Sequence, residues 1–327
     1  MLVSDTEEAK LRNGLARDDE VAAWQNDGWV LLEGLVPTDV IDAAVADLAG
    51  IFPTAAAYHA DPAGERERWL GTPPDRPEAF VWPEEGPGFR PEQHIWQAQF
   101  PFPGSGAMNR LCVHPNVVDF AERALQSVDI RLYQIHMSAK YAGETNYEQP
   151  MHTDRNHSWL PPIGSPPWLN LETFLYLSDV NDGNAPTHLV RRSDAGDRAT
   201  TVWGAMPEGD PELYAAELPA PGVRGSLLAY RSDVFHRGVD LTAPGSARFL
   251  VALAFKRAGQ EWIGYTTHQS KSSSPGWVEF AEGSTPRELE LFGFPPPGHE
   301  VWNAELLDAT AEKYPKLNLE PWRRSLS

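Results

Sequence analysis

The chain is poor in three things, and each scarcity closes off a class of function. It holds one cysteine, Cys112, in 327 residues. A single thiol permits no intrachain disulfide and no thiolate zinc cluster. A reducing cytoplasm fits, and Cys112 reads as a small buried apolar residue. Cations are scarce as well: 27 Lys and Arg stand against 46 Asp and Glu, a formal net charge of −19. That balance disfavours nucleic acid or an anionic membrane surface as a general partner. No apolar run reads as a membrane span, and the opening MLVSDTEEAKLRNGLARDDE lacks the apolar core of a signal peptide. What is present is 41% hydrophobic residues, enough for a sizeable core.

Residues 1–17 read as a polar leader. Asp18-Asp19-Glu20 then opens a helix that Gly28 closes. Trp29-Val30-Leu31-Leu32 reads as a strand, and Val40, Ile41, Ala44, Val45, Leu48 and Ile51 follow helical spacing. From about 53 to 106 the chain turns rich in Pro, Gly and Trp. This insertion reads as mostly irregular, either a lid over a binding site or a wrap held by its tryptophans. Asn116 to Leu125 is an amphipathic helix. Ile130 to Tyr141 alternates, with Gln134, His136, Ser138 and Lys140 on a polar face and Ile135, Met137 and Ala139 on an apolar one.

Further strands are expected at Leu169–Leu177, Thr187–Val190, Gly225–Tyr230, Val234–Gly238 and Ala247–Lys256. Short strands with frequent turn signals point to a sandwich or barrel. No repeat or linker separates a second domain. One domain therefore runs from 18 to 258, and residues 259–327 form an extension packed on it.

The chemistry gathers around His152-Thr153-Asp154. On an extended backbone, residues two apart point the same way, so an imidazole and a carboxylate share a face. Alone this is a weak signal. His236, at a strand end far downstream, supplies a third ligand. Two imidazoles and one carboxylate on one side of an ion leave the other side open, which suits non-haem Fe(II). Arg248 follows in the next strand, sharing its face with Leu250, Ala252 and Ala254. An Arg opening an apolar strand needs an anionic partner, and its planar fork matches a carboxylate. Two other readings of the same residues stay open: a non-catalytic metal- or ligand-binding jelly roll, and a zinc hydrolase.

His152-Thr153-Asp154, His236 and Arg248 resemble the iron- and 2-oxoglutarate-dependent oxygenases of the phytanoyl-CoA dioxygenase (PhyH-like) family. Asn26 through Leu35, Gly183-Asn184-Ala185-Pro186-Thr187, and Gly225 through His236 are similar to further segments of that family. Ala185 departs from its usual Gly, Arg191-Arg192 from a common Pro-Gly, and Asp194 from a common His. Asp154 sets the chain apart from the halogenating branch, where a small residue vacates that position.

The resemblance implies a mainly β chain with flanking helices around a double-stranded β-helix (jelly roll, cupin-like) core. It implies Fe(II), 2-oxoglutarate and O₂ as cofactor and co-substrates, with His152, Asp154 and His236 as metal ligands. Arg248 would anchor 2-oxoglutarate. The expected reaction hydroxylates an unactivated C–H of a small, natural-product or amino-acid-like molecule, releasing succinate and CO₂. Gln134, Ser138 and Thr187 are further candidates for binding 2-oxoglutarate, and His136, His157 and Trp159 for substrate. Lys140 reads as a solvated strand-end residue. The expected setting is a cytoplasmic monomer or homodimer with no membrane or nucleic-acid partner.

Overall fold

Alternation along the expected strands becomes one antiparallel sheet in the computed structural model, which describes residues 15–70, 96–102, 104–154, 170–198, 204–259 and 275–326. Its strands are β1 (Trp29–Leu32), β2 (Gln97–Gln99), β3 (Ile130–Tyr141), β4 (Leu171–Tyr176), β7 (Leu227–Arg231) and β9 (Ala247–Arg257). They lie in the spatial order β1-β7-β4-β9-β3-β2. A smaller sheet, ordered β6-β5-β8, contains β5 (His188–Leu189), β6 (Leu218–Pro219) and β8 (His236–Arg237). Leu189 of the small sheet packs with Tyr176, Leu228 and Tyr230 of the large one, so the two sheets enclose a common interior. This is a jelly roll, mainly β with flanking helices.

Side-chain parity divides the large sheet into two faces. Ile135, Met137, Val251, Leu253 and Phe255 enter the main hydrophobic core with Phe120 and Leu125 of the helix Pro115–Leu125. That helix starts well, with Pro at its first turn and the Asn116 N–H donating to His114 Nδ1 at 3.3 Å. The other face of the sheet carries Gln134, His136, Ser138 and Lys140 on β3. Opposite them on β9 stand Ala254, Ala252, Leu250 and Arg248.

The helix expected through Ile51 ends at Val45, with a single tighter turn at Leu48–Gly50. Asp47, between the two, accepts from Ser105 Oγ at 3.0 Å, tying the break to a distant loop. The stretch Thr38–Ala60 has the length and apolar composition of a membrane span, which corrects the expectation that no run does. It folds as separate helices with Pro53 between them, and Ile41, Ala44, Leu48 and Phe52 lie in the same core as the sheet.

The 53–106 insertion is less irregular than expected where it is described. It holds the helices Ala55–Ala60 and Pro62–Leu70 and strand β2. Trp96 is buried against Tyr58 and Tyr141 at ring distances of 6.0 and 5.2 Å, so this end is a wrap on the core. Residues 71–95 lie outside the described residues. In the tail, Trp277, Phe280 and Leu291 join the main core, and Leu132 N–H donates to Leu291 O at 2.8 Å.

Candidate metal centre

Residues far apart in sequence meet where the small sheet faces the large one. His152 bridges to His236 through two backbone hydrogen bonds, 3.0 and 2.8 Å. Their rings lie 4.4 Å apart. At Asp154 the chain has turned out of the extended conformation, so same-face parity is not what aims its carboxylate. The turn still brings Asp154 Oδ2 to 3.5 Å from His236 Nε2. One ligand atom from each of His152, Asp154 and His236 lies within 4.8 Å of the other two.

The backbone sets the tautomers. His152 Nδ1 lies 2.8 Å from Pro150 O, and His236 Nδ1 lies 3.1 Å from Val234 O. A carbonyl can only accept, so each Nδ1 carries the proton and each Nε2 presents a lone pair. Each carbonyl sits two residues before its histidine, which makes this a local device of the chain. Tyr230 on β7 donates its hydroxyl proton at 3.0 Å to Asp154 Oδ2, the same oxygen that approaches His236 Nε2, and so orients the carboxylate. Nothing in the sequence marked Tyr230 except its even position on an alternating strand.

Arg248 is buried, with Nη1 donating to Ala185 O, while its buried Nε has no hydrogen-bond partner. Ala185 adopts φ +58°, a left-handed conformation that explains why Gly is the usual residue at this point of the similar family. Burial pushes the Arg248 guanidinium down to about 10, with Tyr176 and Tyr147 pulling the other way. Among the described residues, no carboxylate is named as acting on it. Lys140 stands directly across from Arg248 on β3, and the expectation of a solvated residue is corrected. Its ammonium donates to Val239 O at 3.1 Å and lies 4.6 Å from the Tyr147 ring centre. Burial first, then the Arg248 charge, holds it well below the ordinary lysine range.

The other sequence candidates divide. Gln134, His136 and Ser138 occupy the interior face of β3, with Gln134 Nε2 3.3 Å from His136 Nδ1. Thr187 is buried beside β5, two residues from the carbonyl that holds Arg248. His157 and Trp159 lie outside the described residues. Sequence reasoning missed Glu172, Asn170 and Tyr133, a hydrogen-bonded group on the same interior. Tyr133 Oη donates to Glu172 Oε1 at 2.7 Å, and Asn170 Nδ2 lies 2.5 Å from both Glu172 Oε1 and Tyr133 Oη. Burial, then the Asp154 charge, raises the Glu172 carboxyl far above the ordinary carboxylate range. Its position on alternating β4 was the available signal.

No family model matches the chain, and no curated protein matches its sequence. Solved structures do match its fold. One is "non-heme alpha ketoglutarate dependent carbocyclase SnoK from nogalamycin biosynthesis", at 15% identity and a TM-score of 0.55, covering 80% of this chain and 92% of SnoK. EctD from S. alaskensis matches at 17% identity and TM-score 0.51, covering 78% of this chain and 84% of EctD. AviO1 from Streptomyces viridochromogenes Tue57 matches at 16% identity and TM-score 0.50, over 75% and 97% of the two chains. At such identities the likeness is one of fold.

Proposed function

We propose that this chain is an Fe(II)- and 2-oxoglutarate-dependent oxygenase of the PhyH-like kind, acting on a small molecule. The observation that carries the proposal is the pairing of two features in one interior. His152, Asp154 and His236 converge on a point, and Arg248 is buried on the same interior with no carboxylate of the described residues named as acting on it. The donor set fits a divalent ion: two imidazole Nε2 lone pairs and one carboxylate, all preset by hydrogen bonds. The unpartnered Nε of Arg248 fits a carboxylate. A hydrolase with a zinc ion would have no use for this buried cation. SnoK, a non-heme alpha ketoglutarate dependent carbocyclase, shares the fold.

The iron and 2-oxoglutarate, when bound, supply the oxidation of a substrate C–H bond by O₂, with succinate and CO₂ as the other products. The protein's own residues orient these groups. Tyr230 keeps Asp154 aimed by supplying a donor to Oδ2. The Pro150 and Val234 carbonyls hold both imidazoles in the ligating tautomer. Arg248, steadied by Ala185 O, presents its fork to the far carboxylate of the co-substrate. Lys140 stands directly opposite it on β3. Hydroxylation of a natural-product or amino-acid-like substrate in the cytoplasm is the specific reading.

The test is anaerobic addition of Fe(II) and 2-oxoglutarate, watching for the visible absorption band of the iron chelate. The band is expected in the wild type and lost in Asp154→Ala. With O₂ admitted, 2-oxoglutarate-dependent O₂ uptake should follow. A folded, metal-loaded protein that neither shows the band nor binds 2-oxoglutarate overturns the proposal.

A further inference from the structure

The interior face of the large sheet is laid out in rows. Cross-strand pairing places Gln134, Ala254, Glu172 and Tyr230 side by side over β3, β9, β4 and β7. The next row is His136, Ala252, Phe174 and Leu228. Ala252 and Ala254 therefore form a low floor between taller side chains on both flanks. The Tyr230 end of the first row reaches Asp154. The cations Lys140 and Arg248 form another row, two pairs further along β3 and β9 from His136 and Ala252. The floor is thus separated from the proposed 2-oxoglutarate anchor by the row of Ser138, Leu250 and Tyr176.

The hydrogen-bond inventory at Glu172 decides what this floor can hold. Tyr133 spends its one proton on Glu172 Oε1 and accepts from Asn170 Nδ2. Asn170 spends its amide protons on Tyr133 Oη and Glu172 Oε1. With Glu172 ionised, every donor of the group is used internally, and what remains are acceptors. Glu172 Oε2 takes neither bond, and Asn170 Oδ1 has no partner although Asn170 is only 1% exposed. Among the described residues no cation is named as acting on Glu172, and the Asp154 charge is repulsive. Lys256 lies over the Tyr133 ring at 5.6 Å. A half-buried carboxyl with spare acceptors and no counter-charge among the described residues keeps its proton unless a ligand brings donors and positive charge that ionise it.

We propose that Glu172, held by Tyr133 and Asn170, is the substrate-recognition residue, and that it reads a primary ammonium group on the substrate. The inference rests on the oxygenase reading, since it places the substrate beside the same metal site. The ammonium donates to Glu172 Oε2, and the rest of the molecule lies along Ala252 and Ala254. Recognition is by charge-assisted hydrogen bonding, so an uncharged isostere of the ligand is discriminated against.

The experiment uses the whole protein loaded anaerobically with Fe(II) and 2-oxoglutarate. Primary n-alkylamines from propylamine to hexylamine are titrated in, each against the alcohol of equal chain length, and the perturbation of the iron chelate band gives the dissociation constant. The wild type should bind at least one amine about tenfold or more tightly than its alcohol. Glu172→Gln keeps an acceptor for Tyr133 and Asn170. It should therefore melt as a folded protein with the same affinity for 2-oxoglutarate, and lose the amine preference. Equal binding of amines and alcohols by the wild type, or an amine preference that survives in Glu172→Gln, overturns the proposal. Absence of the chelate band in the wild type instead overturns the oxygenase reading, and this inference with it.

Discussion

Single side chains around the metal site are set by partners that the sequence does not place next to them. Tyr230 holds Asp154 by one hydrogen bond of 3.0 Å. Tyr230→Phe removes the donor and leaves the ring. Fe(II) or Mn(II) affinity should fall by roughly tenfold or more, with little change in thermal midpoint, as read by metal titration. Arg248 poses the opposite trade. Burying a cation with no carboxylate costs on the order of a few kcal/mol, present in full at neutral pH because the group is charged in both folded and unfolded chains. Arg248→Met should therefore melt no lower than the wild type without co-substrate. Its 2-oxoglutarate dissociation constant should rise by about a hundredfold, measured by calorimetry on the Mn(II)-loaded protein. A lower melting point in the ligand-free variant would mean that the Ala185 contact outweighs the buried charge.

Elements carry these residues into place through register and a few tight joints. β3 and β9 pair over nearly their full length, which puts Lys140 against Arg248 and Gln134 against Ala254. The irregularity between Leu132 and Gln134 admits Tyr133 as an extra residue, and its hydroxyl reaches Glu172. Gly225, at the mouth of β7, shows how tight the joints are. It has φ +87°, its N–H donates to Tyr176 O at 2.8 Å, and its carbonyl accepts from Val36 N–H at 3.0 Å. A Cβ there would strike the Val36 carbonyl oxygen. Gly225→Ala should destabilise by about 3 kcal/mol, combining a disfavoured backbone with a clash against main chain. Thermal or urea unfolding measures this, and a loss below about 1 kcal/mol would show that the segment around Val36 can shift aside.

At the scale of the whole molecule, the interior is a sandwich of charge: acid near the metal, cations beyond it, and apolar rows between. Such an interior makes stability depend on pH and on ligands. The Glu172 carboxyl is pushed up to about 8, by burial first and the Asp154 charge second. The folded chain thus keeps this proton where the unfolded chain has released it. The stabilisation is complete below the ordinary carboxylate range and is lost as pH rises toward 8. Metal-free wild type should lose more stability between pH 5 and about 8 than Glu172→Gln does. Parallel curves for the two proteins, from melts across pH, would refute this. Ligands act in the other direction. On the proposed function, metal and 2-oxoglutarate bind only the folded chain, so saturating amounts should raise the midpoint, with roughly 2.7 kcal/mol gained per ligand at a hundred times its dissociation constant.

The sequence by itself pointed to a sandwich or barrel, placed most of the strands and nominated the candidate ligands. Those depend on local alternation, turn residues and short spacings, all written along the chain. The interior parity of Gln134, His136, Ser138 and Arg248 was readable for the same reason. It did not determine the insertion's helices, the break after Val45, or the burial of Lys140, because these are set by what packs from elsewhere. Tertiary structure alone decided which residues face one another. The bridge from His152 to His236, the hold of Tyr230 on Asp154, and the group of Glu172, Tyr133 and Asn170 all join strands distant in sequence. Parity says which side of a strand a residue takes; only cross-strand register says which neighbour it meets, and register is a property of the assembled sheet.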